Sequence, residues 1–213
     1  MNGSIKSNST QPRQRSRWIK LSSTCGLLAL TLGLTGCGTI SGLQTANGKG
    51  KVDLSKYNRV VVHDFADKAT EKEQPAKQEE KQAQMKRATR DFADLLAGEI
   101  KKTGAFQEVA REGSEDGSTL LIGGPITKFE RGSTAARLWV GMGAGSSYLD
   151  ALVEVRQGTT GSLLGTVLVN KNSWGGGGAL AAGQTADGFM EEAAKKVAEE
   201  LHKAKQSGSA KKM

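Results

Sequence analysis

The sequence predicts an α/β (α+β) domain: a mixed sheet of about five strands with two main helices packed on one face. Three observations predict it. A β-branched run, Arg59-Val60-Val61-Val62-His63-Asp64-Phe65, precedes a long amphipathic pattern and a second short apolar run at Phe106 and Val109. That order describes a β-α-β unit. Leu149, Ala151, Val153 and Val155 alternate with Asp150, Glu154 and Arg156, and a partner run from Leu164 to Asn170 follows a turn at 157–162; alternation of this kind marks a half-buried hairpin. Near the C-terminus Phe189, Met190, Ala193, Ala194, Val197 and Leu201 recur at helical spacing.

The elements divide the chain into residues 1–36, a tether over 37–54, one domain over 55–205 and a disordered basic tail over 206–213. Residues 1–20 are polar and basic, and Leu27 to Leu34 is apolar. That run is shorter than the about 20 residues of a transmembrane helix and fits the apolar region of a secretory signal. It ends in Leu34-Thr35-Gly36-Cys37, a small residue followed by a thiol that can take a lipid. This resembles the bacterial lipobox. The resemblance implies cleavage before Cys37, acylation of its thiol and anchoring in a membrane. Two or more acyl chains hold stably where one does not. No Arg-Arg pair precedes the run, which points to the general secretory route. Gly38 stands where an inner-membrane retention signal places Asp, so the resemblance implies the outer membrane, facing the periplasm.

The formal charge is +8, and five of these charges (Lys6, Arg13, Arg15, Arg17, Lys20) fall in residues 1–36, which contain no acid; without them +3 remains. No concentrated basic face follows, so nucleic acid is not an expected partner. The two cysteines are Cys25 and Cys37. With Cys25 removed and Cys37 acylated, no disulfide or cysteine metal site is expected. Residues 39–51 are rich in Gly, Ser, Thr and Asn, as a flexible tether would be.

Within the domain, Lys68 to Lys86 is heavily charged and reads as a solvated loop or a frayed helix start. Met85, Ala88, Phe92, Leu95, Leu96 and Ile100 form a helical stripe, Lys101-Lys102 suits the negative end of the helix, and Gly104 takes the position after it. Thr119 to Glu130 is a strand interrupted at Gly123-Gly124-Pro125, where a bulge or edge is expected. On the last helix, Glu191/Lys195, Glu192/Lys196 and Glu199/Lys203 are spaced as i,i+4 pairs.

The segments with unusual chemistry are few. Gly141-Met142-Gly143-Ala144-Gly145 invites a phosphate-loop reading, but its third glycine comes one residue early for G-x-G-x-x-G and no helical pattern follows. It reads first as a flexible or close-packed crossover. It reads second as an interaction loop, because Arg131, Arg137, Leu138, Trp139 and Val140 adjoin it, and Arg and Trp are favoured binding residues. Trp174 with its tetraglycine reads as a linker, or as a lip that orders on a partner or lipid. His63 and His202 are the only histidines. They supply neither a zinc site nor a Ser-His-Asp triad, so no catalytic residue, metal or cofactor is expected, and the protein reads as no enzyme.

The order of Val60 to Phe65, Lys102 to Phe106, Gly124 to Phe129, Arg137 to Gly145 and Val153 to Arg156 resembles a family of uncharacterised bacterial lipoproteins catalogued as a domain of unknown function. The resemblance covers 55–205, with the segment Arg137-x-x-x-Gly141-x-Gly143-Ala144-Gly145 its most specific part. More distantly, the layout is similar to small periplasmic α/β domains of envelope-assembly and curli-secretion lipoproteins. The expected function is that of a lipid-anchored envelope protein binding another envelope component or itself through Arg131 to Tyr148. The alternative is a nucleotide- or glycan-binding lipoprotein using Gly141, Gly143 and Gly145.

Overall fold

The structure is a computed structural model that describes residues 37–69, 75–140, 144–173 and 184–210. The predicted signal segment 1–36 and the Trp174 tetraglycine stretch lie outside the described residues. The strands are β1 (Cys37–Ile40), β2 (Gln44–Thr45), β3 (Arg59–Val62), β4 (Ala66–Asp67), β5 (Glu108–Ala110), β6 (Thr119–Gly123), β7 (Pro125–Glu130), β8 (Tyr148–Gln157) and β9 (Leu163–Asn172). The helices are α1 (Pro75–Lys102), α2 (Thr134–Trp139) and α3 (Ala186–Ala210).

The mixed α/β class holds, with one sheet larger than the sequence suggests. Nine strands share it, with the path β1-β9-β8-β6-β3-β5 and β2, β4 and β7 joined to its flanks. β3 is parallel to both β5 and β6, so the β3-α1-β5 unit is present. β8 and β9 form the long antiparallel hairpin, and Gly161 takes a positive φ of 64° in its turn. β6 and β7 lie end to end along β8. Gly124 between them has φ 132° and packs on the Leu152 carbonyl, a space that no β-carbon could share. The bulge expected there falls between Ile126 and Lys128.

Periodicity decides what is buried. Leu149, Ala151, Val153 and Val155 of β8, and Val167 and Val169 of β9, point into one core. They meet Phe92, Leu96 and Ile100 of α1 and Phe189, Val197 and Leu201 of α3, all fully or nearly fully buried. Each large aliphatic side chain removed from water contributes about 1.5–3 kcal/mol. Phe65 and Phe92 stack with centroids 4.7 Å apart. Pro75 opens α1, where its missing N–H leaves no helical bond unmade. Gly104, at φ 63°, follows its end.

Two expectations need correction. Residues 37–54 do not form a loose tether. β1 pairs with β9 from Cys37 onward, β2 continues that pairing, and Val52 and Leu54 are buried in the core. The open edge of β9 supplies a row of unpaired N–H and C=O groups, and the Gly-rich segment satisfies them. Residues 206–210 continue α3 rather than fraying. Lys205 Nζ donates to the carbonyls of Ser55 and Tyr57, and Gly208 packs directly on Asp53.

Candidate functional site

The β7–β8 connection, residues 131–147, leaves the sheet at its end rung. Glu130 stands opposite Tyr148, Tyr148 opposite Asn172, and Asn172 opposite Cys37. The base of the connection is fixed. Gly132, at φ 69°, lies where Ser146 and Gly145 pass too close for a side chain. Ser133 N–H donates to the Gly145 carbonyl at 2.8 Å. Ser147 Oγ donates to the Arg131 carbonyl at 2.6 Å, and Ser147 N–H donates to Ser173 Oγ at 2.8 Å. Ser146, Ser147 and Ser173 are buried. Three small hydroxyl residues thus replace the ladder where the strands stop.

On this base stands α2. Ser133 caps it, its Oγ accepting from Ala136 N–H at 3.2 Å. Its far end carries Trp139, 89% exposed, and then Val140, 69% exposed. With Leu168, they are the exposed large hydrophobic residues among those described. No helix follows the glycine segment, since β8 begins at Tyr148 as the sequence suggests; α2 precedes that segment and is too short to show a helical pattern.

The predicted site residues divide accordingly. Trp139 is displayed. Arg131 sits at the root, its Nη2 3.3 Å from Asp187 Oδ1 at the start of α3. Gly145, at φ 68°, packs on Ser133 and Ala136 and so offers no open cradle. Arg137 lies on α2, but its side chain is outside the described residues, as are Gly141 and Gly143. Cys37 opens β1, and its side chain is likewise outside them.

Other charged groups are engaged. His63 Nε2 is 3.3 Å from Glu115, and Asp64 pairs with Arg111. Together with Arg156 and Glu154, themselves paired at 2.9 Å, His63 and Asp64 border an open groove of about 460 Å³ on the sheet face away from the helices. Burial pushes the Asp150 carboxyl above its ordinary pKa, with Lys128 opposing. Among the described residues no cluster of His, Cys, Asp and Glu is placed to hold a metal. No helix among them is long and apolar enough to cross a membrane.

One ion pair of a buried lysine escaped the sequence reading. Lys171 has a side chain only 3% exposed, and its Nζ lies 2.9 Å from Glu192 Oε2. Glu192 therefore does not pair with Lys196, which reaches Glu200 at 3.2 Å instead. The signal was present in the parity of β9, since Lys171 falls two residues after the buried Val169.

No curated protein matches the chain. Among the solved structures similar to it are two of the PelC dodecamer from Paraburkholderia phytofirmans. A variant of it is 13% identical with a TM-score of 0.49, covering 78% of this chain and 98% of PelC. A second crystal form is 12% identical with a TM-score of 0.46, covering 75% and 98%. At these scores the likeness carries no argument about assembly or activity. The family match is of another kind: residues 60–177, more than half of the sequence, fit the model of a domain of unknown function, DUF4410, and the chain belongs to that family.

Proposed function

We propose that the chain is a lipid-anchored protein of the cell envelope, non-enzymatic, that binds another envelope component or a second copy of itself through the Arg131–Tyr148 connection. The observation that carries the binding role is Trp139. Its indole is 89% exposed beside Val140, on a base held by buried serines. Large apolar side chains held out in water by a rigid support mark a surface that something covers. Anchoring is supported by the basic segment, the apolar run and Leu34-Thr35-Gly36-Cys37. The non-enzymatic reading is supported by the engagement of His63, Asp64 and Glu192 in ion pairs.

Intact mass and membrane fractionation of the native chain beside Cys37→Ala test the anchor. A native chain that begins at Cys37, gains acyl mass and sediments with outer membrane, with neither change in the variant, is the expected result. For the surface, an envelope component retained by the native chain is lost on Trp139→Ala or Arg137→Ala. If both variants retain everything the native chain retains, this site is wrong.

A further inference from the structure

We infer that the Trp139–Val140 tip rests in the surface of the same bilayer that holds Cys37, as a second and non-covalent membrane contact. This rests on the anchoring reading of Cys37 and adds the nature of the component that the tip touches.

The register carries the geometry. Cys37, Asn172, Tyr148 and Glu130 occupy one rung of the sheet. Strands lie about 4.8 Å apart, so the rung spans about 14 Å from Cys37 to the root of the connection. β1 enters the sheet at Cys37, and residues 131–147 leave it on that same side. The two features therefore face one direction. β1 is paired from its first residue, so the sheet cannot swing away from whatever holds Cys37. Trp139 and Val140 at the end of α2 are exposed beyond the buried serines at the base of the connection.

The chemistry of the tip suits lipid. Tryptophan settles at membrane interfaces because its ring is apolar and its N–H is polar. Residues 131–147 contain two arginines and no acid, which complements anionic headgroups. Arg131 shares its charge with Asp187. An interfacial indole needs only a small apolar contact, and Trp139 and Val140 are adjacent and exposed.

The test uses a chain in which Trp18→Phe and Trp174→Phe leave Trp139 as the reporter. The lipidated chain is reconstituted into phosphatidylethanolamine/phosphatidylglycerol vesicles with brominated acyl chains. Trp139 emission shifts to the blue and loses most of its intensity relative to unbrominated vesicles. A chain that floats with the vesicles while its emission is unchanged by bromine overturns the inference and leaves the anchor standing. Capture of a protein partner lost on Trp139→Ala, with unquenched emission, assigns the tip to protein instead. Intact mass reads the anchor separately. Bromine quenching without acyl mass keeps the tip and removes the anchor; no acyl mass, no flotation and no quenching overturns both.

Discussion

The two ends of the sheet are built differently. At the end where β3 and β6 begin, Arg59 is held between Glu108 at 2.8 Å and Asp116 at 3.0 Å. The other Asp116 oxygen accepts from Ser118 N–H, Ser118 Oγ and Thr119 Oγ1. Leu54 plugs the core beside it, its N–H directed to the Ala204 carbonyl of α3 at 3.4 Å. At the opposite end, serines secure the backbone of the β7–β8 connection, but Trp139 and Val140 are largely exposed. Both ends join strands. One closes on itself, and the other stabilises its base while displaying a tip that adds nothing to the core. The contrast is between an end whose charged groups answer one another and an end whose base is fixed while its tip is exposed.

The comparison can be broken most forcefully at the closed end. Leu54→Ala removes a fully buried side chain and lowers unfolding free energy by about 2–5 kcal/mol, read from urea denaturation. An unchanged midpoint would mean that residues 52–57 are not part of the core. Next, Glu192→Gln removes the carboxylate that lies 2.9 Å from the Lys171 ammonium, whose side chain is only 3% exposed. A fully buried pair broken this way costs about 3–5 kcal/mol; because Glu192 is 41% exposed, the loss is nearer roughly 2 kcal/mol. Glu192→Gln with Lys171→Met recovers much of it.

The acid limb of stability sharpens the comparison further. Hydrogen bonds from Ser118 and Thr119, and the Arg59 charge, hold the Asp116 carboxyl below its ordinary pKa. Hydrogen bonds from Lys203, Lys196 and the Leu43 N–H do the same for Glu200. A lowered carboxyl contributes stability that is complete above its unfolded value, about 3.9 for Asp and 4.3 for Glu, and is lost as pH falls through the folded value. Melting temperature therefore drops below about pH 4, and Asp116→Asn flattens part of that drop. The smallest effect on stability belongs to Trp139→Ala, within about 0.5 kcal/mol of the native chain. A large loss there would show the tip to be structural and dissolve the contrast between the two ends.

Much of this fold was legible because it is periodic. The alternation from Leu149 to Val155 specifies β8, and the stripe from Phe189 to Leu201 specifies the buried side of α3. What could not be read depends on partners far along the chain. Nothing local in Cys37–Ile40 announces a strand; it becomes one because β9, more than 120 residues later, leaves an edge to fill. The continuation of α3 through Gln206-Ser207-Gly208 runs against the weak helix propensity of Gly and Ser. It is held because a side chain at 208 would strike Asp53, so glycine lets the helix close on the 52–57 segment. At the candidate site, composition pointed to Arg131 and Trp139, and only the backbone path separates them into a tied root and an exposed tip.

The pairing of β1 sets the reach of the molecule. With an attachment at Cys37, a flexible chain over 37–54 would let the domain wander about 23 Å. Zipped onto β9 from its first residue, that leash has almost no length. Height and tilt above an attachment at Cys37 are then properties of the sheet. A second contact on the same body is either within range at all times or never, so its effective concentration is set by geometry rather than by diffusion of a tether.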